Sequence, residues 1–375
     1  MQGDLNAMVP GKLITAVFGF CIIEDFTETC SYLGSDITRY INTVAQIIHG
    51  NTHMYYGAAN KNIGCAFLLC WKLCDGRMYG LRDPRDPDQS RLPEEELKQA
   101  RKDLVVVRKG RGKKERKLQP CPEVVDAALT AFIKSIYDVH QANQSGGAFD
   151  PFNLQLRGMA AKGEMHEDDR ETFQDFHVHM GFGMHIGWAI EGAIGSQYKI
   201  DASYLSPNVN MSARLEAATH QFGTELLLSE WIVAELSPAA RQKCRLIDRI
   251  CVVGSKIPME IWTVDIFNWN IENFLHPDFS ADGTQRSVDF ATNAHLSQMS
   301  EGMDARWRPL FDEGITAYLA GDWPLAIKKL EEAKSLNPTD GPTKSCLKQM
   351  KVRGNVAPED WLDEKGRGFR QLTSK

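Results

Sequence analysis

Residues 13–23 read LITAVFGFCII. An unbroken apolar run of this length, rich in β-branched and aromatic side chains, predicts a buried β-strand. A helix should follow: Ser35 and Asp36 can cap a segment in which Ile37, Tyr40, Ile41, Val44, Ile47 and Ile48 recur at helical spacing. Gly57 and the Asn60-Lys61-Asn62 stretch then mark a turn before a second apolar strand over 63–73. A strand, a helix, a turn and a strand in so short a span set up a sheet that needs helices to cover it.

Beyond this nucleus the pattern breaks and resumes. The stretch DGRMYGLRDPRDPDQSR (75–91) is too rich in Asp, Arg, Pro and Gly for a core face and predicts a surface insertion running to residue 122. Within it, RKGRGKKERK (108–117) has seven basic residues and one acid. Such a run reads first as a solvated loop and second as a site for an anionic partner. Residues 123–140 return to helical spacing, and 141–175 form a second polar interruption. Residues 177–188 (HVHMGFGMHIGW) predict a strand, 190–194 its continuation past a turn, and 208–219 a helix leading into 225–229. The alternation indicates an α/β or α+β sandwich.

Past Asp265 the chain turns polar to residue 300, as a linker would. Residues 310–340 predict a helical hairpin, with Gly314 and Ala317 on one helix, Ala326, Leu330 and Ala333 on the other, and Pro338 closing it. These spacings resemble one tetratricopeptide repeat, and a lone repeat cannot bury its own face. The hairpin should therefore dock on the main domain or on a partner. The expected division is 1–270 for the main domain with two insertions, 271–305 for a linker, 306–350 for the hairpin and 351–375 for a tail.

Composition narrows the function classes. Basic side chains number 43 and acidic ones 49, a net charge of −6, so no whole-chain attraction to nucleic acid operates and none is expected as a partner. The apolar run at 13–23 is shorter than the roughly 20 residues of a membrane-spanning helix, and residues 1–12 lack the features of a secretory signal. A cytoplasmic location is the expectation. Nine cysteines, mostly within apolar stretches, read as reduced and packed thiols. Cys65, Cys70 and Cys74 lack paired C-x-x-C knuckles and favour packing over zinc. His177, His179 and His185 share a predicted strand region, where packed or surface roles are favoured over a metal site.

Five ordered segments are more specific: FGFCIIEDFTET (18–29), GAANKNIGCAFLLCW (57–71), GMHIGWAIEGAIGS (183–196), SYLSPNVNMSARLE (203–216) and KIPMEIWTVD (256–265). Together they resemble the class III nucleotidyl cyclase catalytic domain, in a protist type with a short helical tail. The resemblance covers 13–75 and 123–265. It implies a ferredoxin-like α+β sandwich, a mostly antiparallel sheet with helices on one face, followed by the C-terminal helical hairpin. It also implies a dimer whose shared clefts convert ATP or GTP to the cyclic monophosphate and pyrophosphate.

The family's two metal-binding aspartates would stand at Ile22 and Cys65. Isoleucine has no ligand atom, and a thiol is a soft match for a hard, oxygen-seeking cation. Glu24 and Asp25 are not expected to substitute, because their facing should differ from that of Ile22. The other half of the resemblance is kept. Asn210 and Arg214 match an N-x-x-x-R pair in which the Asn orients the ribose and the Arg stabilises charge on the transferring phosphate. Lys61 falls on a purine-reading position in its adenine-selective form. Ser203 falls on the second such position and excludes neither base. Lys256 lies near a phosphate-binding lysine position.

These matches imply a cyclase-homology subunit that binds a purine nucleoside triphosphate, holds no metal by itself, and completes or regulates a partner cyclase. Mg²⁺ or Mn²⁺ would then enter with ATP or GTP on ligands from that partner. Two alternatives stand beside this one: a non-catalytic structural or interaction module derived from a cyclase, and a residually active adenylate cyclase. The partner could be a different cyclase domain or a second copy.

Overall fold

The computed structural model describes residues 9–75, 122–196, 198–252, 255, 257–276 and 288–372. The basic run at 108–117 and Lys256 lie outside the described residues. The opening strand, β1 (Lys12–Ile23), is followed by a short helix α1 (Phe26–Leu33) and then α2 (Ile37–Met54). The helix begins where the spacing predicts, but Asp36 makes no side-chain cap and instead pairs with Arg39 at 3.3 Å. β2 (Ala58–Ile63) and β3 (Ala66–Asp75) form a hairpin. The expected turn at 57–62 is therefore itself mostly strand. The reversal falls at Gly64-Cys65, where Gly64 takes φ +61°, a conformation that glycine adopts without steric cost.

Next come α3 (Pro122–Ala142), α4 (Asp150–Lys162) and α5 (Glu167–Gln174). The polar stretch 141–175 is thus not a loose insertion: Phe149, Phe152, Leu156 and Phe173 are buried in the main core. Its polar residues are the outer faces of two short amphipathic helices. β4 (Met180–Ser196) is one continuous strand, β5 (Lys199–Leu205) folds back on it, and α6 (Pro207–Phe222) follows. Then come β6 (Leu226–Ser229), α7 (Glu230–Glu235), α8 (Pro238–Lys243), β7 (Cys244–Cys251) and β8 (Met259–Val264).

The sheet runs β2-β3-β1-β4-β6-β8-β7, with β5 beside β4. It is mostly antiparallel, with β4 and β6 parallel. The architecture is α+β, but helices cover both faces rather than one. Phe132 of α3 packs on Gly19 from one side, and Ser212 and Glu216 of α6 press on Gly183 from the other. Alternation along β4 explains the division. Met180, Phe182, Met184 and Ile186 face the α3 core, whereas Gly181, Gly183, His185 and Gly187 form the row under α6. A side chain at Gly183 would lie 2.2 Å from the Ser212 carbonyl oxygen, so only glycine admits the helix this close.

Residues read as a linker are structural. Ile271, Phe274, Leu275, Phe290, Leu296 and Met299 join the main core. The Tyr137 hydroxyl donates to the Trp269 and Ile271 carbonyls, at 2.9 Å each, and accepts from the Ile271 amide at 2.7 Å. A short helix α9 (Ala294–Gln298) lies within this segment. The C-terminal hairpin is present as α10 (Trp307–Ala320) and α11 (Trp323–Leu336). A side chain at Gly314 would meet Leu330 at 2.7 Å, the close packing that the small residues prepare. A third helix, α12 (Gly341–Val352), and a final strand, β9 (Arg370–Gln371), were not anticipated.

This C-terminal unit docks on the α6 side of β6, β7 and β8. Trp307, Phe311, Trp323 and Leu330 share one buried cluster with Leu215, Phe222, Ile247 and Ile261. β9 pairs in parallel with β7, Arg370 opposite Ile250. Cys21, Cys30, Cys65, Cys70, Cys244, Cys251 and Cys346 are free thiols. Among the described residues, no helix is long and apolar enough to cross a membrane.

Candidate functional site

The two positions that the resemblance assigns to metal lie side by side. Ile22 pairs with Ala66 across β1 and β3, and the Ile23 amide donates to the Cys65 carbonyl at 3.1 Å. Burial pushes the Cys65 thiol above its ordinary range, so the group there is a neutral thiol beside a hydrocarbon. That pair does not fit a hard divalent cation. Among the described residues, no group of three His, Cys, Asp or Glu is arranged to hold a metal.

The start of α6 is pinned to β4 by several polar contacts. Ser206 caps the helix by accepting the Asn208 amide and donates to the Trp188 carbonyl at 2.5 Å. The Asn208 amide group donates to the same carbonyl at 2.9 Å, and its Oδ1 lies 3.1 Å from His185 Nε2. Pro207 suits the first helical turn, where no amide donor is needed. Ser212, Leu215, Glu216, Ala218 and Thr219 then form the buried stripe, which leaves Asn210 exposed and Arg214 half-buried. The two share one face, four residues apart. Among the described residues neither side chain is held by a hydrogen bond or ion pair, so the Arg214 fork is available to an anion.

Lys61 on β2 reaches β5. Its Nζ lies 3.5 Å from Asp201 Oδ2, and Lys199 approaches the same carboxylate at 3.8 Å. Asn60 Nδ2 donates to the Ala202 carbonyl at 3.4 Å. Ser203 sits opposite Gly192 in the β4–β5 register. Asp201 and Ser203 are two residues apart and share a pleat face, so Lys61, Asp201 and Ser203 line one edge. The signal for Asp201 was available as a carboxylate two residues before Ser203.

Glu216 escaped the sequence reading, and Glu24 was set aside there on the expectation that its facing differs from that of Ile22. The structure corrects that expectation: Glu24 lies just past the end of β1 and turns toward α6. Its carboxylate is 3.5 Å from His220 Nε2 on α6. Glu216 is 3% exposed, and its Oε2 has no hydrogen-bond partner among the described residues. Burial, and then Glu24, push its carboxyl up to about 7. The three histidines do not converge: His177 binds Arg157, while His185 bonds Ser229 Oγ and Asn208. Burial lowers His185 to about 4, so it is neutral near pH 7.

No family model matches the chain. A curated adenylate cyclase of Anabaena cylindrica is 33% identical over 79 residues, which is 21% of this chain and 16% of that protein. Among solved structures, a bacterial light-regulated adenylyl cyclase is similar at 18% identity and a TM-score of 0.45, over 69% of this chain and 54% of that one. The adenylyl cyclase CyaB of P. aeruginosa is similar at 16% identity and a TM-score of 0.42, over 70% of this chain and all of that one. The chain is similar to nucleotidyl cyclases, and it spans about half of the light-regulated enzyme and a small part of the cyanobacterial protein.

Proposed function

We propose that the chain is a cyclase-homology subunit that binds a purine nucleoside triphosphate and completes or regulates a partner nucleotidyl cyclase. The observation that carries this reading is the contrast between two sets of residues. Ile22 and Cys65 cannot supply hard oxygen ligands, whereas Arg214, on a helix fixed at its start, presents a guanidinium that is unpaired among the described residues. Arginine offers a rigid fork of donors to phosphate oxygens, and Asn210 on the same face can hydrogen-bond a sugar hydroxyl. Lys61, Asp201 and Ser203 offer an ammonium, a carboxylate and a hydroxyl to the edge of a base. A divalent cation would need the oxygen ligands of a partner domain, and the dimer is part of the proposal.

The test is cyclic nucleotide production by the purified chain with ATP or GTP and Mg²⁺ or Mn²⁺, beside binding of a fluorescent nucleotide analogue. Binding without turnover, weakened in Arg214→Ala, is the expected result. Turnover abolished by Arg214→Ala would show a cyclase in its own right. Absence of both binding and turnover would leave a structural module and end the proposal.

A further inference from the structure

Helix α6 lies so close to β4 that no water fits between them: the absent Gly183 side chain would stand 2.4 Å from the Glu216 amide nitrogen. Glu216 is sealed in this seam. Its Oε1 would touch a side chain at Gly181, at 2.5 Å, and its Oε2 is buried without a hydrogen-bond partner among the described residues. The titratable groups facing it come from several elements. The end of β1 contributes Glu24, the β2–β3 turn contributes Cys65, and α6 contributes His220, while Cys21 couples to it from the opposite face of β1. Glu225, ahead of β6, adds another carboxylate near Glu24. The positions of β4 beneath it are glycines.

The balance of these groups is one-sided. Burial raises both thiols, which are therefore neutral. His220 is exposed and leans on Glu24 rather than Glu216. Among the described residues, no lysine or arginine pairs with either carboxylate. An unpaired carboxylate in a dry seam is costly, and protonation is the ready compensation.

We propose that Glu216 forms a proton-operated latch between α6 and the sheet, closed while its carboxyl holds a proton and loosened when that proton is lost beside Glu24. Because α6 also carries Asn210 and Arg214, opening the latch weakens anion binding at its outer face. The latch itself does not depend on the nucleotide reading, since it is read out from stability alone. The sign follows from linkage. The Glu216 carboxyl moves from an ordinary 4.5 to about 7 in the folded chain. Its contribution is therefore complete below the lower value and lost as pH rises through the upper one.

The experiment is thermal unfolding of the whole chain in EDTA, from about pH 5 to about pH 9, for wild type, Glu216→Gln and Glu24→Gln. Wild type should lose several degrees of Tm across this range relative to Glu216→Gln, and the Gln variant should be the more stable at the alkaline end. Glu24→Gln, a milder change at a partly exposed side chain, removes a neighbouring charge that helps to raise Glu216, so it should shift the wild-type midpoint to lower pH, and it keeps the test decisive if Glu216→Gln does not fold. Parallel pH curves for wild type and variants would overturn the latch, as would a Glu216→Gln variant less stable than wild type at alkaline pH. Millimolar MgCl₂ or MnCl₂ should leave the alkaline Tm unchanged. A rise lost in Glu216→Gln would mean that a cation, not a proton, balances the pair.

Discussion

Replacing Arg370 with alanine should destabilise the chain far more than a change five residues from its end ordinarily would. Arg370 is 8% exposed, and its guanidinium stands 3.0 Å from Asp248 Oδ2, with Asp248 fully buried. The same group donates to Ser345 Oγ at 3.0 Å and lies over the Phe222 ring at 5.0 Å. It therefore joins β7, α12 and the end of α6. Asp248 also accepts the Arg249 amide at 2.7 Å, which cannot balance a full charge. Removing one partner of a buried pair costs about 3–5 kcal/mol, because the other is left without compensation.

Burial already pushes Asp248 up to about 6 against the lowering effect of Arg370. Without the arginine its carboxyl should rise further, so the loss in Arg370→Ala should be larger at pH 8 than at pH 5. Urea unfolding of wild type, Arg370→Ala, Asp248→Asn and the double variant measures this directly. The double variant should recover much of the loss, since no buried charge remains. A single-variant loss below about 1 kcal/mol, or a double variant no better than Arg370→Ala, would refute the argument that charge compensation holds the C-terminal strand in place.

Gly183→Ala should cost more than about 3 kcal/mol, because its new methyl meets the backbone of α6 and no rotamer relieves the clash; soluble yield and Tm report it. Arg214→Ala should change stability by under about 1 kcal/mol, since no partner among the described residues holds its guanidinium, while lowering affinity for a fluorescent triphosphate at least tenfold in a titration. Asp201→Asn should also leave stability within about 1 kcal/mol, the Lys61 pair being partly exposed. It should change the ratio of adenine to guanine nucleotide affinities, and an unchanged ratio would remove Asp201 from the base edge.

Much of the fold was legible because its elements follow local rules. The run at 13–23, the spacing from Ile37 to Ile48 and the small residues of the hairpin each gave an element of the right type. Errors came where local polarity and tertiary burial part company. Residues 141–175 and 271–300 look polar, yet a few aromatic residues in each, such as Phe149, Phe173 and Phe274, anchor them in the core. A sparse apolar pattern cannot show whether a neighbouring surface exists to receive it. The turn at Gly64-Cys65 was missed because the polar strand before it resembles a loop.

The sequence by itself determined which chemical groups stand at the site: a hydrocarbon and a thiol at Ile22 and Cys65, and an amide and a guanidinium four residues apart at Asn210 and Arg214. Side-chain identity needs no fold to be read. Only the tertiary structure decided which groups face one another. It set Lys61 against Asp201, buried Glu216 between α6 and the sheet near Glu24, and joined Arg370 to Asp248 across 122 residues of chain. Charges act through space and through the dielectric around them, and sequence spacing carries neither quantity.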